Sequence, residues 1–171
     1  MSILWAVLIL VAVQRLAELV YARHNTRQLL AEGGREVGAG HYPLLVGLHS
    51  LWLLAILLFV APETQPQWFL LGAFLILQLL RVWVLATLGR YWTTRIITLP
   101  TAPLVRKGPY RFVRHPNYLI VAGEILVLPL AFGAWEIALI FSLANAAILA
   151  IRIRCEENAI APRRSATLRS P

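Results

Sequence analysis

The chain has 171 residues, of which 59% are hydrophobic and 14% charged, and it carries a formal net charge of +8. Soluble domains hold roughly a quarter charged residues, so these proportions, with a mean hydropathy of +0.69, exclude an ordinary water-soluble globule and point to an integral membrane protein. The charge does not indicate nucleic acid, because the basic residues flank apolar spans instead of sharing a soluble face with stacking aromatics.

The first apolar run, from Ile3 to Tyr21, carries Gln14, Arg15 and Glu18 and lacks both a basic leader and a small-residue cleavage site, so it reads as a retained helix instead of a secretory signal. Further runs extend from Tyr42 to Ala61 and from Trp68 to Leu88. After Leu88 the sequence turns polar, and Pro100 and Pro103 prevent a regular helix from continuing. Gly108-Pro109 sets a turn, and Pro116 suits the first turn of a fourth helix. That fourth run, from Tyr118 to Phe132, is short and contains Glu124 and Pro129. Gly133-Ala134 joins it to a fifth, from Trp135 to Ile153, as a helical hairpin. The expected fold is therefore all-α, a polytopic membrane domain of about five transmembrane helices spanning residues 1–157, followed by a short basic tail at 158–171.

Loop charges orient this arrangement. Fourteen of the sixteen Lys and Arg residues fall in the first loop, the third loop and the region after the fifth run, while the second and fourth loops hold none. Basic residues accumulate on the cytoplasmic side. The N-terminus is thus expected outside and the C-terminus inside, with the segment from Gly108 to Tyr118 and the end of the last helix facing the cytoplasm of an inner-membrane protein. Trp5, Trp52, Trp68, Trp92 and Trp135 are expected at the interfaces or towards lipid. The single cysteine, Cys155, excludes an internal disulfide and a cysteine-based metal cluster, and no metal site is expected.

Ionisable groups inside a bilayer require partners or a wet cavity. Arg15 and Glu18 are three apart on one helix face and can pair with each other. Arg81 and Glu124 have no local partner, so they form either a cross-helix ion pair or a polar site open to the cytoplasm. Glu124, Arg81 and His49 are the candidate catalytic groups by position, with His41 a further candidate base. Arg114 and His115, held at a helix entrance, suit an anionic or carboxylate-bearing ligand. Glu156 and Glu157, just past the last apolar run, either pair with Arg152 or Arg154 or receive a cation.

Gly-Pro-Tyr110-Arg and Arg114-His115-Pro116-Asn-Tyr118 opening a hairpin, followed by Arg152-Ile-Arg-Cys-Glu156-Glu157, resemble the isoprenylcysteine carboxyl methyltransferase family. The N-terminal part, with Arg15-Leu-Ala-Glu18, Arg23-His-Asn25 and Glu36-Val-Gly-Ala-Gly-His41-Tyr42-Pro43, looks like a short bacterial branch of it. The resemblance implies a membrane methyltransferase that takes S-adenosyl-L-methionine from the cytosol and a lipophilic small molecule from the bilayer. Carried across, it puts Tyr110, His115 and Tyr118 in the cofactor pocket, Arg114 and Pro116 shaping it, and Glu156 or Glu157 on the cofactor's amino group. Longer members continue past the paired glutamates with an aromatic-rich helix, whereas this chain proceeds to Asn158-Ala-Ile-Ala-Pro-Arg163-Arg164. That departure favours a long-chain alkylpyrone or alkylresorcinol hydroxyl over a farnesyl-cysteine carboxylate. The alternatives are N-methylation of phospholipid amines and a non-enzymatic transport or scaffold role.

Overall fold

A computed structural model describes residues 2–100, 102 and 105–169, with side chains of the last helix as far as 161. Pro103 and the tail side chains of Arg163, Arg164 and Arg169 lie outside the described residues. Five helices carry the fold: α1 (Ile3–Ala31), α2 (Tyr42–Phe59), α3 (Trp68–Leu88), α4 (Pro116–Ala131) and α5 (Trp135–Arg169). Ser2 caps α1 by accepting the Trp5 N–H at 3.3 Å, satisfying one of the free donors of the first turn. Pro116 opens α4, where a missing N–H is harmless.

Helices α1, α2, α3 and α5 belong to segments long and apolar enough to cross a bilayer. With 16 residues, α4 rises only about 24 Å, short of the roughly 30 Å hydrocarbon layer. Its lower end is completed by neighbours: the Ala131 carbonyl accepts the Gln67 N–H at 2.7 Å, and Ala134 N–H returns to the Pro129 carbonyl at 2.9 Å, closing the expected hairpin into α5. Helix α3 lies against α4 closely enough that a Cβ at Gly123 would meet Leu77 Cδ1 at 3.0 Å.

Two helices are longer than hydropathy alone indicates. The polar turns following Tyr21 continue α1 to Ala31, and α5 runs unbroken through 158–169, the stretch set apart as a tail. Hydropathy marks where lipid contact ends, not where backbone hydrogen bonding ends. Two three-residue strands also form, β1 (Arg35–Val37) and β2 (Ile96–Thr98), paired antiparallel with Glu36 opposite Ile97.

The main core joins Leu4, Leu8 and Val11 of α1, Trp52 and Ile56 of α2, Phe74 of α3 and Ile125 and Leu128 of α4. A second cluster, Ala22, Val84, Trp92 and Ile120, sits nearer the end that carries the strands. Phe59, Phe69, Leu79 and Leu143 point outward, as an apolar solvent requires. Trp5, Trp68 and Trp135 are exposed as expected. Trp52 and Trp92 are not, at 1% and 3% exposure. Trp52 packs in the main core between the helices, and Trp92 follows the positive-φ turn at Gly89 (φ 52°, ψ −121°) that ends α3.

Candidate functional site

The ionisable residues of the membrane interior form one cluster. Arg15 contacts Glu18 at 3.1 Å and Glu124 at 2.7 Å, while Arg81 contacts Glu18 at 2.5 Å and Glu124 at 3.3 Å. Gln14 donates to Glu18 at 3.0 Å and Gln78 to Glu124 at 2.8 Å. The expected Arg15–Glu18 pair is present, and of the two arrangements open to Arg81 and Glu124 the cross-helix ion pair is the one formed, widened to four charges from α1, α3 and α4. Two cations and two anions cancel. Neutrality and extra hydrogen bonds are what make buried charges tolerable.

Above this cluster, at the end where α1 and α3 finish and α4 begins, lies a cavity of about 660 Å3. Arg81 links the two, its guanidinium carbon 5.8 Å from the centre of the Trp92 ring, which lines the cavity. Trp92 is held there by Asn25 of α1, whose amide donates to the Trp92 and Gly89 carbonyls at 2.8 and 3.1 Å. Strand β2 supplies Ile96, Ile97 and Thr98 to the wall, and β1 anchors it through Glu36 and Arg95 at 2.8 Å. Arg95 also covers the Tyr42 ring at 4.7 Å.

The opposite wall is made by the α4 entrance and the α5 end. A short 3-10 turn, Gly108–Arg111, delivers Tyr110 and leads to His115. It begins at Gly108 with φ 55°, where an added Cβ would lie 2.5 Å from Thr87 Oγ1; only glycine adopts that turn against α3 without strain. His115 precedes Pro116 with φ −129° and ψ 62°, outside the helical region that a following proline disfavours. Its Nε2 meets Glu157 Oε1 at 2.7 Å, and its Nδ1 lies 3.7 Å from Glu156 Oε2. The Tyr118 hydroxyl donates to Glu156 Oε2 at 2.5 Å, and the His115 and Tyr118 rings stack at 5.4 Å. Burial, followed by the charge of Glu156, pushes the Tyr110 phenol above its usual range, so it stays a neutral donor.

Of the residues expected around a cofactor, Tyr110, Arg114, His115, Tyr118 and Glu156 line the cavity. Glu157 stands behind His115, and buried Pro116 starts the helix without lining. The candidate catalytic groups lie elsewhere: Glu124 and Arg81 sit in the ion cluster, and His49, bonded to the Leu45 carbonyl at 2.9 Å, faces Trp52 edge-on. None of the three lines the cavity. His41 is buried and also absent from the lining.

Three residues read in the sequence without a place in the cofactor pocket contribute to the cavity. Trp92 forms the floor, Asn117 brings a buried Oδ1 without a partner, and Arg152 of α5 reaches the cavity as a buried cation. The spacing of Arg152 and Glu156, one helical turn, is the signal that places both on one face.

Comparison with known proteins agrees with the motif. Residues 70–162 match the isoprenylcysteine carboxyl methyltransferase (ICMT) family. A Bacillus subtilis (strain 168) protein described as uncharacterized protein YpbQ is 37% identical over 160 residues, covering 91% of this chain and 95% of its own. An uncharacterized protein of Haemophilus influenzae is 35% identical over 79 residues, 46% of each chain. No solved structure matches. The matched segment takes in α4, most of α5 and the whole Gly108–Tyr118 stretch. The chain belongs to the isoprenylcysteine carboxyl methyltransferase family, membrane methyltransferases of lipophilic substrates.

Proposed function

We propose that this protein is an S-adenosyl-L-methionine-dependent O-methyltransferase whose cavity holds the donor at the cytoplasmic surface and receives a lipophilic acceptor from the bilayer. The observation that carries the reading is the meeting of the His115–Tyr118 entrance with Glu156 on one wall of a cavity of about 660 Å3, with Glu157 behind His115, a volume suited to a nucleoside-sized ligand. The donor set fits as well. A carboxylate stands ready for an ammonium, neutral Tyr110 offers a hydroxyl, and Tyr91, Trp92 and Tyr118 present aromatic faces to a sulfonium.

In this reading Glu156 receives the donor's amino group. Glu157 orients His115, and Pro116 fixes the start of the helix on which Tyr118 stands. Arg114 edges the opening. When bound, S-adenosylmethionine supplies an electrophilic methyl group. The chain's contribution is alignment of donor and acceptor and exclusion of water by Leu29, Leu88 and Leu99. A carboxylate acceptor needs no base. For a pyrone or resorcinol hydroxyl, His115 is the lining group left to accept its proton. Glu124 and Arg81 support the Trp92 floor from below, and His49 serves α2 packing. The loop charges, with fourteen of the sixteen Lys and Arg residues in alternate connections and after the fifth apolar run, support a cytosolic opening in a bacterial inner membrane.

Transfer of labelled methyl from S-adenosylmethionine to membrane lipids, followed by mild base, tests the reading. Label is expected in the lipid fraction only when the protein is present, released by base from an ester or retained in an ether. Label on an amine headgroup would replace O-methylation with phospholipid N-methylation.

A further inference from the structure

Residues 106–114 gather positive charge without compensation. Arg106, Lys107, Arg111 and Arg114 are all exposed, and no acidic residue occurs between Arg95 and Glu124. Arg90 and Arg95, which precede this loop, are matched by Glu32 and Glu36. Among the described residues no carboxylate comes within ion-pairing distance of the four loop cations. Set among them, Phe112 is 72% exposed beside exposed Val113, and the Arg111 guanidinium lies over its ring at 5.3 Å. A phenyl ring gains nothing by facing water. At the edge of a bilayer it buries its apolar surface while adjacent cations stay in the headgroup layer.

The backbone puts this loop over lipid. Ile76, Leu80 and Trp83 are exposed along α3 at helical spacing, a stripe that faces the acyl chains. Thr87 continues it one turn further, its hydroxyl donating to the Trp83 carbonyl at 2.7 Å. Gly108 sits against Thr87, leaving no room there for a Cβ. The turn Gly108–Arg111 therefore covers the last turn of the lipid-facing stripe, and Phe112 leaves it at the rim of the bilayer. We propose that residues 106–114 form a binding site for acidic phospholipid, with headgroup phosphates on the four cations and Phe112 and Val113 seated at the acyl boundary. Guanidinium and ammonium groups match phosphate oxyanions, and an unpaired cluster of them selects a net negative headgroup over a zwitterionic one. Arg106, Arg111 and Arg114 also edge the cavity, so lipid bound here borders its mouth. Neither methyl donor nor acceptor is needed for this binding.

The test uses the full chain in detergent micelles with equal amounts of phosphatidylglycerol and phosphatidylcholine, and native mass spectrometry counts the lipids retained. Wild type is expected to retain phosphatidylglycerol in preference. A cation at a membrane surface is worth about a fivefold preference, so Lys107→Gln with Arg111→Gln lowers it by about 25-fold. Arg23→Gln with Arg27→Gln removes the same charge from an exposed face of α1 and is expected to leave the preference unchanged. All four side chains are exposed, and circular dichroism verifies folding of both variants. In a Cys155→Ser background, a bimane label on Phe112→Cys is expected to be quenched by phosphatidylglycerol carrying a nitroxide near its headgroup and to be shielded from aqueous iodide. No preference in wild type, an equal loss in the α1 variant, or a label open to iodide and silent to nitroxide lipid overturns the proposal. Soluble glycerol phosphate that displaces the retained lipid as well as phosphatidylglycerol does overturns it too, because the site then takes soluble anions.

Discussion

Replacing Arg81 with methionine lowers the unfolding free energy by about 3–5 kcal/mol, the usual cost of removing one partner from a buried ion pair. The size follows from the count of charges. Without Arg81, Glu18 and Glu124 share only Arg15, at 3.1 and 2.7 Å, and the cluster carries a net negative charge inside the membrane. The variant Arg81→Met with Glu124→Gln restores neutrality, and it regains most of the loss despite carrying two substitutions. Denaturant unfolding in detergent micelles measures both. A single variant as stable as wild type, or a double variant less stable than the single, contradicts the account of the cluster. Because Arg81 also underlies Trp92 at 5.8 Å, the single variant additionally loosens the cavity floor.

Glu156→Gln has the largest effect expected on the cavity itself. It keeps the shape of the side chain and an acceptor for the Tyr118 hydroxyl, so folding survives, but it removes the negative charge facing the opening. Affinity for S-adenosylmethionine falls by about 10- to 100-fold, as loss of a charged hydrogen bond requires. Glu157→Gln weakens it less, because Glu157 acts through His115 at 2.7 Å and does not line the cavity. His115→Ala lies between them, losing the stacked ring at 5.4 Å from Tyr118. Titration calorimetry on the three variants orders them. Equal affinity in all three and in wild type would falsify the site assignment.

The parts of this architecture legible in the sequence were those with a one-dimensional signature. Apolar runs bounded by polar residues gave the five helices, and Pro116 and Gly133 marked where α4 starts and where its hairpin turns. The motif residues His115, Tyr118 and Glu156 converge because two helix ends meet at one face. What stayed hidden depends on which way the chain folds back. Trp92 reads as an interfacial aromatic until the Gly89 turn directs it over Arg81. Strands β1 and β2 are three residues each, too short for alternation to register. Arg152 looks like one more positive-inside anchor until the packing of α5 puts it in the cavity wall, its guanidinium 5.8 Å from the centre of the Tyr118 ring. Glu124 and Arg81 carried the opposite hazard: rare charges in a membrane segment suggest chemistry, yet here they satisfy each other.

The central claim is that the cavity between α4, α5 and the β1–β2 wall binds the methyl donor. Calorimetric titration of the purified, folded wild-type chain with S-adenosylmethionine, or with its demethylated product, tests it most directly. The account predicts saturable one-to-one binding that weakens in Glu156→Gln. A folded protein that takes up neither compound contradicts it.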